Sequence, residues 1–244
     1  QYIQEMFSKL DSPANIYQNL RLSNNKTTLL IKHKSVSAVW FTGGSKAGSI
    51  VAKMAGTHLK KVLLELGGSD PFIILSDADI NRAISSCISG RLLNAGQSCI
   101  SVKRIIVTTD IYDLFLKRLI LRLKKIELGN SQDSFDLGPM VSKKARLKVH
   151  KQVKNSVKKG ARLLLGGEIP KRKGSYYPIT LLSEVMPGME VFDEEVFGPV
   201  FTIIKAENET EAVQLANNSS YGLGASIFSK NTEKARKIAI NDLN

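Results

Sequence analysis

Short apolar runs of four to seven residues alternate with helix-period segments along almost the whole chain, and this constrains the fold more than any other feature. "SAVWFT" (37–42) precedes a helical pattern near 47–58 with Ile50, Val51, Met54 and Ala55 on one face, and "KVLLEL" (61–66) follows it. Then come "PFIIL" (71–75), a helix near 79–93 capped by Asp77 or Asp79, "RIIVTT" (104–109), and a helix near 111–126 with Tyr112, Phe115, Leu116, Leu119 and Leu123 turned inward. A lysine-rich helix carrying Ala145, Val149, Val153 and Val157 leads to "ARLLLGG" and an irregular Gly/Pro/Tyr stretch (166–180). "VFTIIKA" (200–206), a helix near 210–217 and "GASIFSK" (224–230) complete the pattern. Continuous apolar runs mark strands covered on both faces, and the helices between them supply the long crossovers that parallel strands need. The pattern predicts an α/β fold with mostly parallel sheets. Gly67, Gly68 and Pro71 interrupt it between two strands, which predicts one domain over 1–67 and a second over 68–244.

With 43% apolar residues, 244 positions suffice for a sizeable core. No window approaches the length of a membrane span, and "QYIQEMFSKL" lacks a basic start followed by a long apolar run, so neither anchor nor export signal is expected. Two cysteines, Cys87 and Cys99, make no disulfide framework and have no metal-ligand spacing, which predicts a reducing cytoplasmic home. The net charge of +13 raises the question of a nucleic-acid footprint. The lysines of 142–162, however, fill the polar face of an amphipathic helix with no interleaved aromatics to stack bases, so no nucleic-acid partner is expected.

Four stretches could carry chemistry. "FTGGSKAG" (41–48) runs a strand through Gly43 and Gly44 directly into a helix, leaving backbone N–H groups at the helix start that can face a phosphate. Its spacing is not G-x-G-x-x-G, and a tight strand-to-helix turn is the alternative. Glu65 lies in the apolar run "VLLELGG", where an unpaired buried carboxylate would have a raised pKa and suit general-base work; a solvated Glu at a sheet edge is the alternative. Cys87 falls on the stripe of Ile80, Ala83, Ile84 and Ile88 and is expected in the core. Cys99 follows "NAGQS" on a loop at a helix exit, where Asn94 and Gly96 suit a cap, so nucleophile and buried small hydrophobe both stay open. "EEVFGPV" (194–200) sets two carboxylates, an aromatic and a rigid turn before a strand. His33, His58 and His150 are assigned no role.

Taken in order and spacing, "FTGGSKAG", "LELGGSDP", "NAGQSC" with Cys99 34 residues after Glu65, and "EEVFGPV" resemble the NAD(P)-dependent aldehyde dehydrogenase superfamily, in particular its succinate-semialdehyde dehydrogenase-like branch. The resemblance implies an aldehyde dehydrogenase-like α/β fold, with part of a Rossmann-type nucleotide-binding domain followed by a catalytic domain. It implies NAD or NADP as cofactor and a small-molecule aldehyde as substrate. Cys99 matches the nucleophile, whose thiolate adds to the aldehyde; hydride then passes to the nicotinamide, leaving a thioester. Glu65 matches the base that activates water for deacylation. Glu195 matches the residue at the nicotinamide ribose and Phe197 the aromatic near the ring. Gly43, Gly44, Ser45 and Leu66 match cofactor-side positions, the first three at the turn that meets the pyrophosphate.

Some positions depart from the family pattern. Gly44 stands where the family usually has Ser, removing a hydroxyl that could bond a phosphate oxygen, with Ser45 next to it. Leu93 stands where semialdehyde-specific members carry Arg six residues before the nucleophile, although Arg91 lies two residues earlier. Family members are also about twice as long, which implies that segments on both sides are missing here and that this chain by itself is inactive or needs a homo-oligomer or complementing chain. A non-catalytic remnant is the competing reading. A glyceraldehyde-phosphate-type dehydrogenase is set aside, because it needs a His base paired with the Cys and no His occupies a motif.

Overall fold

The computed structural model describes residues 1–11, 13–129 and 137–244, which form two compact units, Gln1–Leu66 and Gly67–Asn244. In the first, α1 (Tyr2–Ser8) and α2 (Asn24–Lys32) precede a β-α-β unit of β1 (Ala38–Thr42), α3 (Ser45–Thr57) and β2 (Lys61–Glu65). The two strands pair in parallel, from Ala38 opposite Lys61 to Thr42 opposite Glu65. The expectation that both strands are buried on both faces is corrected. Along β1 exposed and partly covered residues alternate, Trp40 is 71% exposed and Leu63 of β2 51%. α3 packs against both strands and covers one face, so alternate side chains are left on the other. Within α3, Ala55 is buried while Ile50, expected inward, is exposed.

The second unit is built on a six-stranded sheet in the order β5-β6-β7-β4-β3-β8. Its strands are β3 (Pro71–Ile74), β4 (Arg104–Thr108), β5 (Arg162–Leu165), β6 (Thr180–Ser183), β7 (Val200–Ala206) and β8 (Ser226–Phe228). All neighbours run parallel except the antiparallel pair β5–β6 at one edge, where β6 follows the irregular 166–180 stretch. The central strands β3, β4 and β7 are buried at every position but Lys205, and apolar at most of them, because both faces are covered. Phe72, Ile74, Ile105, Val107 and Ile203 pack with Ala83, Ile84 and Cys87 of α4 (Ile80–Leu92) and with Phe115 and Leu119 of α5 (Thr109–Leu123). Ile73, Ile106 and Ile204, one residue out of phase, pack with Val149 and Val153 of α6 (Lys143–Lys158), Phe192 of α7 (Glu190–Asp193), Ala212 of α8 (Glu209–Asn217) and Ile238 of α9 (Thr232–Asn241).

Helix starts follow local chemistry. Asp79, rather than Asp77, caps α4, its Oδ1 accepting from Asn81 N and Arg82 N at 3.0 Å each. Ser142, Asn208 and Asn231 cap α6, α8 and α9 in the same way, each worth about 1 kcal/mol. Asp77 instead accepts from Ser229 Oγ and Asn231 N, joining the end of β3 to the loop after β8. Among the described residues no helix is long and apolar enough to cross a membrane.

Candidate active site

The turn that carries Cys99 begins where α4 stops. Asn94, Ala95 and Gly96 follow one another in the left-handed region (φ 52°, 56° and 72°), so the chain reverses sharply out of the helix. Gly96 is required twice over, since a Cβ there would also stand 2.3 Å from the Gly198 carbonyl oxygen. Asn94 Nδ2 donates to Gln97 O at 3.1 Å and Gln97 Nε2 returns a bond to Asn94 O at 3.0 Å. Gln97 Oε1 accepts from Val141 N at 2.8 Å, tying the turn to the segment before α6. Cys99 therefore sits half-buried on a turn, whereas Cys87 is fully buried on α4 and burial pushes its thiol far up.

Beneath this turn lies a buried cation. The Lys103 ammonium, 2% exposed, donates to the carbonyls of Ser98 (3.0 Å), Cys99 (2.7 Å) and Ser101 (3.2 Å) and stands 3.8 Å from Glu195 Oε1. Burial, followed by the neighbouring Arg91, lowers its pKa to about 8, against the pull of Glu195, Asp70 and Cys99. Asp70 is pushed the other way, chiefly by burial, and its Oδ1 has no hydrogen-bond partner among the described residues. Gly68 lets the chain before β3 pass close to the turn: a Cβ there would lie 2.7 Å from Cys99 O.

Glu195 comes from the turn before β7. Its Oε1 accepts from Gly68 N at 3.2 Å, and a Cβ on Gly67 would meet its Oε2 at 2.3 Å, so Gly67 makes room for the carboxylate. Glu194 points elsewhere, accepting from Gln152 Nε2 at 2.9 Å. Phe197 leaves 37% of its surface open. Sequence reasoning singled out Cys99, Glu195 and Phe197 but missed Lys103 and the depth of Arg91. Arg91 is 0% exposed, and its guanidinium donates to Ser101 Oγ (3.0 Å), Val102 O (2.8 Å), Val196 O (2.7 Å) and Gly198 O. Burial brings its pKa down to about 9. Buried, with both terminal nitrogens engaged inside the protein, it is not free to meet a substrate carboxylate in place of the Arg absent at Leu93. The available signal was basic residues abutting apolar runs, Arg91 at the end of α4 and Lys103 at the start of "RIIVTT", which reads equally well as solvated charge.

In the first unit, Gly43 N donates to Glu65 O at 3.0 Å, closing the end of the two-stranded ladder. Gly44 is the N-cap of α3, with nothing within 4 Å of where a Cβ would stand, and both it and Ser45 are exposed. No side chain caps α3 and its first turn holds no acidic residue, so its leading N–H groups face outward at the positive end of the helix dipole. Leu66 packs onto Gly48, where a Cβ would come within 2.4 Å of its Cδ2. Glu65 is exposed at the last position of β2 rather than buried in an apolar strand, because β1–β2 is a two-stranded sheet open on one face.

The second unit is thus a mostly parallel α/β unit with a half-buried cysteine on a turn after a helix, linked through Lys103 to a carboxylate from a Gly-Pro turn. The aldehyde dehydrogenase family model matches residues 1–241, and the chain belongs to that family. It is 40% identical over 238 residues to succinate-semialdehyde dehydrogenase [NADP(+)] of Deinococcus radiodurans, covering 97% of this chain and 50% of that relative. It is also 40% identical over 240 residues to succinate semialdehyde dehydrogenase [NAD(P)+] Sad of Escherichia coli K12, covering 98% and 52%. Among solved structures, Gox0499 superposes with a TM-score of 0.96 at 39% identity, over 99% of this chain and 53% of that one. Betaine aldehyde dehydrogenase of Staphylococcus aureus, solved in complex with NAD+, does so with 0.85 at 39% identity, over 89% and 44%. The chain thus spans about half the length of the relatives it matches. Its fold is the aldehyde dehydrogenase α/β fold.

Proposed function

We propose that this chain is the part of an NAD(P)-dependent aldehyde dehydrogenase that carries the nucleophile, acting on an aldehyde such as a semialdehyde. The observation that carries the reading is the contrast between the two thiols: Cys99 is presented on a held, half-buried turn linked through Lys103 to Glu195, while Cys87 is core. Cys99 Sγ adds to the aldehyde carbon, forming a C–S bond while the carbonyl oxygen takes a proton. A nicotinamide held there would supply the hydride acceptor, and Cys99 is left as a thioester once the hydroxyl proton passes to solvent. Glu65 then accepts a proton from water, which attacks the thioester carbon and releases the carboxylic acid and the Cys99 thiolate.

The residues present fit such a cofactor. The open N-terminus of α3, with Gly43, Gly44 and Ser45, suits a pyrophosphate, Leu66 backs that helix, and Glu195 and Phe197 would serve the nicotinamide side. The succinate-semialdehyde dehydrogenases among its relatives support a semialdehyde substrate, and their NADP(+) and NAD(P)+ designations support either cofactor. Two free cysteines suit the cytoplasm. Trp40, Leu63 and Ile50 on the exposed β-α-β unit suit association with a second copy or a complementing chain, which light scattering would register. The deciding experiment follows reduced-cofactor formation with succinate semialdehyde and simple aldehydes, for the natural protein and for Cys99→Ala. Little turnover is expected from this chain alone, and turnover that disappears in the variant once a second copy or complementing chain completes it; undiminished turnover in Cys99→Ala rejects the assignment.

A further inference from the structure

Two buried cations join the Cys99 turn to the Glu195 turn, and one of them, Arg91, gives the hydrogen bonds of its guanidinium to backbone carbonyls and a hydroxyl rather than to a carboxylate. Arg91 divides its donors between the two: Ser101 Oγ and Val102 O follow the cysteine, whereas Val196 O and Gly198 O flank Phe197. Lys103 repeats the arrangement, giving three donors to the carbonyls of the Cys99 turn and facing the Glu195 carboxylate across 3.8 Å. Gly96 packs its backbone on Gly198 between them, so three contacts bridge segments about a hundred residues apart in sequence. Burying a guanidinium against neutral acceptors is a costly way to stabilise a fold, since well-packed apolar side chains usually do as well. The arrangement does something an apolar side chain cannot. It fixes two polar turns by direction as well as distance, because each donor must point at its own carbonyl.

We infer that Arg91 and Lys103 are positioning residues, a clasp that holds the Cys99 turn and the Glu195–Phe197 turn at one separation and so sets the thiol against the groups on the nicotinamide side. The functional meaning of the clasp rests on the roles proposed above for Cys99, Glu195 and Phe197. Its test requires neither cofactor nor turnover, so its failure is distinct from theirs.

Native-state hydrogen exchange by mass spectrometry on the full chain reads the clasp directly. In Lys103→Met, amides in 97–103 and 194–199 should both exchange at least about tenfold faster, the equivalent of about 1.4 kcal/mol, the lower end for one hydrogen bond to a charged group. Amides of β4, β7 and α5 should keep their wild-type rates, and Cys87 should stay protected from alkylation, which certifies the fold. A residue that merely stabilises would raise exchange everywhere in parallel, through global unfolding. Glu195→Ala removes the carboxylate from a partly exposed position and guards against a Lys103 variant that does not fold; it should speed exchange in 97–103 by about two- to fivefold. In turnover, Lys103→Met should lower kcat and raise KM for the cofactor. Exchange confined to one of the two turns, a parallel rise throughout the unit, or a Glu195→Ala turn indistinguishable from wild type would each overturn the inference.

Discussion

Gly96→Ala tests how tightly the Cys99 turn is built. Two separate penalties arise at this position. An L-residue at φ 72° bears the left-handed cost, about 1–2 kcal/mol. The new Cβ would also stand 2.3 Å from Gly198 O, 2.5 Å from Gly198 C and 3.0 Å from Pro199 N, backbone atoms that Arg91 holds in place; forcing such atoms apart costs about 1–3 kcal/mol. The sum is about 2–5 kcal/mol. Gly188→Ala separates the two contributions, because Gly188 has φ 90° and nothing within 4 Å of its Cβ position, leaving the backbone cost alone. Urea unfolding of the wild type and both variants gives the difference, with equal slopes confirming a common denatured state. The Cys99 turn should shift to relieve the clash, and a displacement of about 1 Å at a reacting group can lower kcat on the order of 100-fold. A Gly96→Ala variant no less stable than Gly188→Ala would refute the claim that the Gly96–Gly198 contact is rigid.

Alkylation with peptide mapping should modify Cys99 at least about 1,000 times faster than Cys87, because a fully buried thiol reacts only through an opening that costs several kcal/mol; comparable rates would return Cys99 to the core. Glu65→Gln should leave the thioester forming but not resolving, seen as a stable mass increase on Cys99 after aldehyde and cofactor are added, and rapid turnover by this variant would remove Glu65 as the base. Lys103 predicts a pH dependence with an inverted sign. Its folded pKa of about 8 lies below the ordinary 10.5, so between these values the unfolded chain binds more protons and stability rises with pH. The stability of the wild type relative to Lys103→Met should therefore improve from pH 8 to 10.5, and a flat difference would show that the ammonium is not desolvated.

Much of the fold was legible in the residues, for local reasons. The runs "PFIIL", "RIIVTT" and "VFTIIKA" are apolar at consecutive positions, which only a strand covered on both faces tolerates, and all three became central parallel strands. The stripe of Ala83, Ile84 and Cys87 and that of Tyr112, Phe115 and Leu119 were visible as helical periods and went inward as expected. The same rule failed for "SAVWFT" and "KVLLEL", since an apolar run states what a strand could bury and not what is there to cover it. β6, only four residues long after a Gly/Pro-rich stretch, has no period to read and is defined by its pairing with β5 and β7.

The site divides along the same line. Asn94 and Gly96 before Cys99 mark a helix exit, because these residue types accept left-handed φ by their own chemistry, and that much needs no partner. Whether Cys99 lay on a loop or in the core turned on Gly96 meeting Gly198 and on Lys103 folding beneath the turn, contacts between segments far apart in sequence. Nothing local to Arg91 tells a solvated arginine at a helix end from one sunk to 0% exposure, because the carbonyls that accept its donors belong to residues 102, 196 and 198. Backbone carbonyls are identical at every residue, so their availability as acceptors is invisible in a sequence and arises only when tertiary folding withdraws them from water and from the sheet ladder.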